Sequence, residues 1–208
     1  MVAKLSPEVA SQVEEGIRII RRGGVLAFPT DTVYGLGGGA FHEAAVRRVF
    51  EVKKRPFSMA LPLLLSDGSQ IHEVVESLPD YAWRLAGRFM PGGLTLVVRR
   101  SRIVSDLIAA GGETVAIRIP DHPVPVALIQ GSGMPLVGTS ANRSGSGSLL
   151  TAEAVRAEIG ELVDLVIDAL PPPAGRESTV VDVTGPRAVI LREGAIRRDQ
   201  IAAVVELA

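Results

Sequence analysis

Five places in the chain carry side chains that could hold an anion. Lys53-Lys54-Arg55-Pro56 sets three cations in a row. They could complement a helix C-terminus, with the proline ending the helix. They could equally clamp a polyphosphate, since Arg forks onto oxygens and Lys acts as a point charge. Gly138-Thr139-Ser140-Ala141-Asn142-Arg143-Ser144-Gly145 offers hydroxyls, an amide and a flexible backbone. Such a loop can cradle an anion or simply form a turn. Pro29-Thr30-Asp31-Thr32-Val33-Tyr34-Gly35-Leu36-Gly37 follows an apolar run, where open α/β sheets bind ligands. A tight turn with glycines at positive φ explains it as well. Arg118 and Arg192 lie in or beside apolar strand-like runs. A charge there must be paired, exposed at a strand end, or used on a ligand.

Several chemistries are excluded. There is no cysteine, which removes disulfide scaffolds, thiol catalysis and thiolate zinc sites. His42, His72 and His122 are scattered without metal-ligand spacing, and each reads as a surface or packing residue. Gly35-x-Gly37-x-x-Ala40 matches a dinucleotide fingerprint only in letters. Six residues separate it from the preceding strand, and no acidic residue follows at the required distance. Ser140 has Gly138 two before it but Asn142 two after, so it is not a nucleophile elbow. No phosphate loop of the G-x-x-x-x-G-K-[ST] type occurs.

Lys plus Arg is 22 and Asp plus Glu is 23, giving a formal charge of 22 − 23 = −1. That excludes a globally basic nucleic-acid binder, although a local basic cleft is allowed. Aromatics at 4% argue against a base-stacking platform. No run approaches the roughly 20 apolar residues of a membrane helix. Met1 to Gly24 does not read as a signal peptide, because Glu14, Glu15 and Arg18 interrupt its apolar residues. The expectation is a soluble cytoplasmic protein. With 208 residues, 47% of them hydrophobic, and no linker-like segment, one domain spanning 1–208 is expected.

These groups need a frame. Ser6-Pro7-Glu8 is a helix start, and Val9, Val13, Ile17 and Ile20 recur at helical spacing up to Gly23-Gly24. Val25–Phe28 reads as a buried strand. Pro29–Gly39 reads as irregular, because four glycines crowd it. Ala45, Val46, Val49 and Phe50 mark the next helix. Strands are expected at Leu61–Leu65, Leu94–Arg99, Thr114–Ile119, Pro135–Thr139 and Leu162–Ile167. Helices are expected at Gln70–Glu76, Asp80–Phe89, Val124–Gln130, Thr151–Ile159 and Asp199–Leu207. Ser178–Val183 and Ala188–Arg192 flank a turn and suggest a hairpin. Mixed strands and helices with a hairpin imply an α/β (α+β-like) fold whose sheet is partly antiparallel.

Together the motifs resemble the YrdC family, which makes threonylcarbamoyl-AMP. The matching stretches are PTDTVYGLG (Pro29–Gly37), KKR (Lys53–Arg55), PGGLT (Pro91–Thr95), TVAIRIPDHP (Thr114–Pro123), TSANRSG (Thr139–Gly145), ESTVVD (Glu177–Asp182) and ILREG (Ile190–Gly194). The chain is similar to the short form that lacks an extra C-terminal domain. Three positions depart from the family pattern. Proline usually stands at Ala60, many relatives place a histidine near Leu64, and TSAN replaces the commoner PSAN.

The resemblance implies a twisted, mixed parallel and antiparallel sheet flanked by helices, with a concave basic cleft. It implies synthesis of threonylcarbamoyl-AMP from L-threonine, bicarbonate or CO2, and ATP, with release of pyrophosphate. This is the first step of the t6A modification of tRNA. By the same resemblance Lys53 and Arg55 neutralise the triphosphate and are the catalytic pair. Thr114, Ser140, Asn142, Ser148 and Arg192 contact the nucleotide. Thr32, Arg118, Gly138 and Ser178 hold L-threonine. Mg2+ enters with ATP, held mainly by phosphates and water. A downstream threonylcarbamoyl-transferase complex modifies the tRNA, so direct tRNA binding is not required. Two other readings are a double-stranded-RNA or ribosome-associated binding module, and a carbamoyl-transfer enzyme of the hydrogenase-maturation type.

Overall fold

The computed structural model describes residues 5–208. The Ser6 hydroxyl accepts from the Val9 N–H at 3.3 Å, and Pro7 takes the first helical position, where no N–H is needed. This starts α1 (Pro7–Arg21), and Gly23 at φ 82° turns the chain into β1 (Val25–Phe28). There follow β2 (Gly35–Gly39), α2 (Glu43–Lys53), β3 (Leu63–Leu64), α3 (Ile71–Val74), β4 (Val75–Ser77), α4 (Asp80–Phe89) and β5 (Leu94–Arg100). Next come α5 (Asp106–Ala109), β6 (Thr114–Arg118), α6 (Pro123–Ser132) and β7 (Leu136–Ser140). The chain ends with α7 (Ala152–Ile159), β8 (Leu165–Val166), β9 (Thr179–Asp182), β10 (Val189–Arg192) and α8 (Arg198–Ala202).

All ten strands form one mixed sheet in the order β10-β9-β5-β6-β3-β7-β2-β1-β8, with β4 paired to β5. The pairs β1–β8, β3–β6 and β5–β9 are parallel, and the others are antiparallel. The expected hairpin is present as β9–β10.

Strand alternation sorts the two faces. Val25 and Ala27 of β1, Leu94 and Leu96 of β5, and Val115 and Ile117 of β6 join one core with Val46, Val49 and Phe50 of α2 and Leu85 of α4. On the opposite face, Leu26, Phe28, Leu64 and Leu136 meet Ile19 and Ile20 of α1 and Val124, Leu128 and Ile129 of α6. That helix pair covers only part of its face. Over β7, β6, β5 and β9 the same face carries Gly138, Ala116, Thr95 and Val180, and there a cavity opens.

The glycine run departs from expectation. Gly35–Gly39 is not irregular but a central strand, paired antiparallel to both β1 and β7. Its glycines serve close approach rather than turning. A Cβ on Gly37 would lie 2.2 Å from the Val137 carbonyl oxygen. Glycine in a strand marks such a contact as often as a break.

Smaller differences have local causes. β3 and β8 keep two residues each of longer apolar runs. The helix expected at Gln70–Glu76 lasts one turn before Val75 and Ser77 pair with Arg100 and Arg99. The final helix stops at Ala202, and α5 is too short to leave a periodic signal. Gly37→Ala should destabilise the protein by about 1–3 kcal/mol in urea unfolding, the usual range for overpacking. Gly68→Ala is the control, since a Cβ there meets nothing within 4 Å. A wild-type midpoint for Gly37→Ala would show that β7 can move away from β2.

Candidate active site

The cavity on the open face has a volume of about 500 Å³, within the range of small-molecule sites. Thr32, Lys53, Arg55, Arg118, Gly138, Ser140, Asn142, Ser178 and Arg192 line it, nine of the eleven expected site residues. Among the described residues the lining cations are Lys53, Arg55, Arg118 and Arg192, and Glu177 is the one lining carboxylate.

Arg118 ends β6 and is 7% exposed. Its guanidinium donates through Nη2 to Asp31 Oδ1 at 2.6 Å, through Nη1 to Thr32 Oγ1 at 2.7 Å and through Nε to the Gly92 carbonyl at 3.0 Å. A guanidinium has five N–H donors, so two have no partner among the described residues. Burial pushes the Arg118 pKa down, and the Asp31 carboxylate pushes it back up. Asp31 and Thr32 are placed by the turn after β1. There the Thr30 hydroxyl donates to the Val33 carbonyl and accepts from the Thr32 and Val33 N–H groups.

Lys53 is the last residue of α2 and is 3% exposed. Its ammonium donates to the Ser140 carbonyl at 2.7 Å, the Asn142 carbonyl at 2.8 Å and Asn142 Oδ1 at 3.1 Å. An ammonium has three protons, and these three contacts use them all. Burial first, and the Arg55 charge second, lower its pKa to about 8. Lys53 therefore ties the helix end to the Ser140–Asn142 turn. Lys54 follows in the left-handed conformation at φ 52°, and Arg55 then folds over its own loop. Arg55 donates through Nη2 to the Ala60 carbonyl at 2.8 Å and through Nε to the Met59 carbonyl at 3.2 Å.

The opposite wall comes from β9 and β10. Arg192 pairs through Nη1 with Glu177 Oε2 and donates through Nη2 to the Ser178 carbonyl at 2.9 Å. The Thr95 hydroxyl donates to Ser178 Oγ at 2.8 Å. A Cβ on Gly138 would meet Leu64 at 2.6 Å, which explains a bare backbone on the cavity floor.

Two expected residues do not line the cavity. Thr114 is opposite Arg99 at the far end of β6, four residues from Arg118, or roughly 13 Å along a strand. Ser148 is not among the lining residues, and its hydroxyl donates to Glu177 Oε1 at 2.7 Å. Asp31, Thr95 and Glu177 belong to the site although none of them was an expected site residue. All three sit inside quoted motifs, but only the fold brings Asp31 to Arg118 and Glu177 to Arg192. Among the described residues, no cluster of three or more His, Asp or Glu side chains is placed to hold a metal ion, and no helix is long and apolar enough to cross a membrane.

Cations from α2, the loop after it, β6 and β10 thus meet in a cavity on the open face of a mixed sheet, an arrangement chemically suited to an anionic small molecule. A family model described as Telomere recombination, covering the Sua5, YciO and YrdC proteins, matches residues 18–194, and the chain belongs to that family. It is 40% identical over 195 residues to a threonylcarbamoyl-AMP synthase of Bacillus subtilis, covering 93% of this chain and 56% of that protein. It is 37% identical over 201 residues to a putative threonylcarbamoyl-AMP synthase of Mycobacterium tuberculosis, covering 96% of this chain and 92% of that one. The crystal structure of Pyrococcus abyssi Sua5 complexed with L-threonine superposes with a TM-score of 0.89 at 36% identity, over 94% of this chain and 58% of that one. The chain thus spans less than two thirds of the Bacillus and Pyrococcus proteins.

The Lys53 ammonium should titrate near pH 8 in nitrogen-detected NMR, against about 10.4 for an exposed lysine. With a lowered folded pKa, its contribution to stability is present above about pH 10.4 and lost as pH falls through 8. A midpoint near 10 would place the ammonium in solvent. Ala60→Pro should stabilise the protein by about 0.4–1 kcal/mol in thermal unfolding, because the Ala60 N–H has no hydrogen-bond partner among the described residues. Destabilisation would show that the native φ at 60 is unsuited to proline.

Proposed function

We propose that the chain synthesises threonylcarbamoyl-AMP from L-threonine, bicarbonate or CO2, and ATP. The observation that carries this reading is Arg118, a buried guanidinium that lines the cavity beside Thr32 and Ser178 with two N–H donors that have no partner among the described residues. A fork of that kind suits a carboxylate. Membership of a family whose relatives are named for this product, one of them solved with L-threonine, supports it.

The chemistry demands cations. The threonine amine adds to CO2 and loses a proton, giving a carbamate. A carbamate oxygen attacks the α-phosphorus of ATP, the bond to the β-phosphate oxygen breaks, and pyrophosphate leaves. An anionic nucleophile approaches an anionic centre, so fixed positive charge lowers the barrier. Arg118 holds the threonine carboxylate, with Thr32, Ser178 and the Gly138 backbone around the amino acid. Arg192 and Arg55, which retain free N–H groups, face the phosphates. Lys53 contributes its field and fixes the Ser140–Asn142 turn that borders the nucleotide. Mg2+ bound to ATP would be held mainly by phosphate oxygens and water and would neutralise part of their charge, with Glu177 the one carboxylate among the lining residues described. Ser148 acts through Glu177. Thr114 stays an expected nucleotide contact only for a ligand that extends along β6. The product feeds a complex that carries the group to tRNA, and this chain needs no tRNA contact of its own.

The test is L-threonine-dependent release of pyrophosphate from ATP by the purified chain. Release that needs carbamoyl phosphate instead would favour carbamoyl transfer. Salt-sensitive RNA binding without turnover would favour the binding module. Arg55→Ala should lower the rate roughly a hundredfold or more, the cost typical of losing one transition-state donor, and Lys53→Ala should also lower it strongly, because it removes the charge and the tie to the Ser140–Asn142 turn. Near-normal rates in both would put the triphosphate elsewhere. Arg118→Lys should weaken L-threonine binding in calorimetry although the charge is kept, because a fork becomes a point charge. Unchanged affinity would leave Arg118 a purely structural ion-pair partner.

A further inference from the structure

His122 is 2% exposed and makes a hydrogen bond with each ring nitrogen. Nδ1 accepts the Val124 N–H at 3.2 Å and caps α6. A nitrogen that accepts carries no proton, so the neutral ring is protonated on Nε2, which donates to the Pro171 carbonyl at 3.2 Å. Burial pushes the imidazole pKa down. The facing carboxylates of Asp31 and Asp121, and the Pro171 carbonyl, push it up less strongly. The ring is therefore held neutral in the tautomer that both bonds need.

Helix capping alone needs only a short oxygen-bearing side chain. The second bond reaches 49 residues along the chain to a strap, Leu170-Pro171-Pro172-Pro173-Ala174-Gly175. The three prolines have no N–H, and Leu170 is 80% exposed. Between Leu170 and Pro173 the bond from His122 is the one hydrogen bond among the described residues. The strap then donates from the Ala174 N–H to the Asp31 carbonyl at 3.2 Å and from the Gly175 N–H to the Thr32 carbonyl at 2.8 Å. Asp31 and Thr32 are the residues whose side chains grip the two terminal nitrogens of Arg118. The Asp121 N–H also donates to Asp31 Oδ1, at 3.1 Å.

We propose that His122 is a positioning residue for the amino-acid carboxylate: it pins the 170–175 strap, which fixes the Asp31–Thr32 turn that orients Arg118. The inference rests on the synthase reading only for the identity of the ligand at Arg118.

Two substitutions separate the two bonds. His122→Asn keeps an acceptor for the Val124 N–H but is too short to reach Pro171. His122→Gln carries an amide N–H out to the position of Nε2. In His122→Asn, calorimetry should show L-threonine affinity about tenfold weaker and ATP affinity within about twofold of wild type. Hydrogen exchange at Ala174 and Gly175 should accelerate. His122→Gln should restore most of both losses. Wild-type threonine affinity in His122→Asn, an equal loss for ATP, or unchanged protection at Ala174 and Gly175 would overturn the proposal. If the wild-type chain itself binds no L-threonine, the synthase reading falls. Exchange at the strap amides then still decides whether His122 fixes the turn beside Arg118.

Discussion

Removing a guanidinium from water costs several kcal/mol unless its protons are met, and Arg118 is met by partners from separate parts of the chain. Asp31 and Thr32 come from the turn after β1, and the Gly92 carbonyl comes from the loop before β5. Asp31 is itself satisfied by the Asp121 N–H just beyond β6. Moving Asp31 leaves the buried charge unpaired, and moving Thr32 or Gly92 leaves one more of its N–H groups unmet. The Thr30 hydroxyl network, the 170–175 strap and the backbone around Gly92 all converge on this one cation. The site is thus built around a charge that the core would reject without it.

The sheet gives that charge a place to act. Alternation along β5, β6 and β7 sends Leu94, Leu96, Val115, Ile117 and Val137 into the larger core. The alternating residues that line the cavity are Thr95, Ala116, Gly138 and Ser140, while Leu136 of the same face packs under α1 and α6. Those lining residues are too small or too polar to seat another helix, and the cover of α1 with α6 ends at Leu136 of β7 and Leu64 of β3. A concave floor is what remains when large side chains occupy one face and small ones the other. β2 supports the floor from within, because its glycines let β1 and β7 lie close on either side of it.

Much of this was legible in the sequence, for physical reasons that differ by element. α1 was readable because Ser6 and Pro7 state the cap and Val13, Ile17 and Ile20 state the period. β5 and β6 were readable from β-branched runs. β2 was not, since glycine looks alike at a turn and at a close backbone contact. β3 and β8 were overestimated because apolar runs continue past the last ladder bond. Lys53, Arg55, Arg118 and Arg192 could be singled out as excess or misplaced charge, but their partners could not. Asp31 lies 87 residues from Arg118, and Asn142 lies 89 from Lys53. His122 looked like a packing residue because the second use of its ring depends on a strap 49 residues away.

The two ion pairs of the site differ in how readily a ligand could displace them. Arg118 and Asp31 have side-chain exposures of 9% and 18%, so breaking that pair strands a buried charge. Arg192 and Glu177 have exposures of 48% and 37%, where a pair contributes about 0–1 kcal/mol. A carboxylate ligand must therefore add to Arg118 using its spare N–H groups while Asp31 stays. A phosphate, with more charge than Glu177 and several acceptor oxygens, can displace the Glu177 carboxylate from Arg192 at little cost. The Ser148 hydroxyl, 2.7 Å from Glu177 Oε1, is placed to hold that carboxylate when Arg192 lets it go. Under the proposed reaction the amino-acid half of the cavity is fixed in advance, and the phosphate half exchanges an internal anion for an external one. Such a division suits a reaction whose nucleophile must be aimed while its phosphate leaving group must depart.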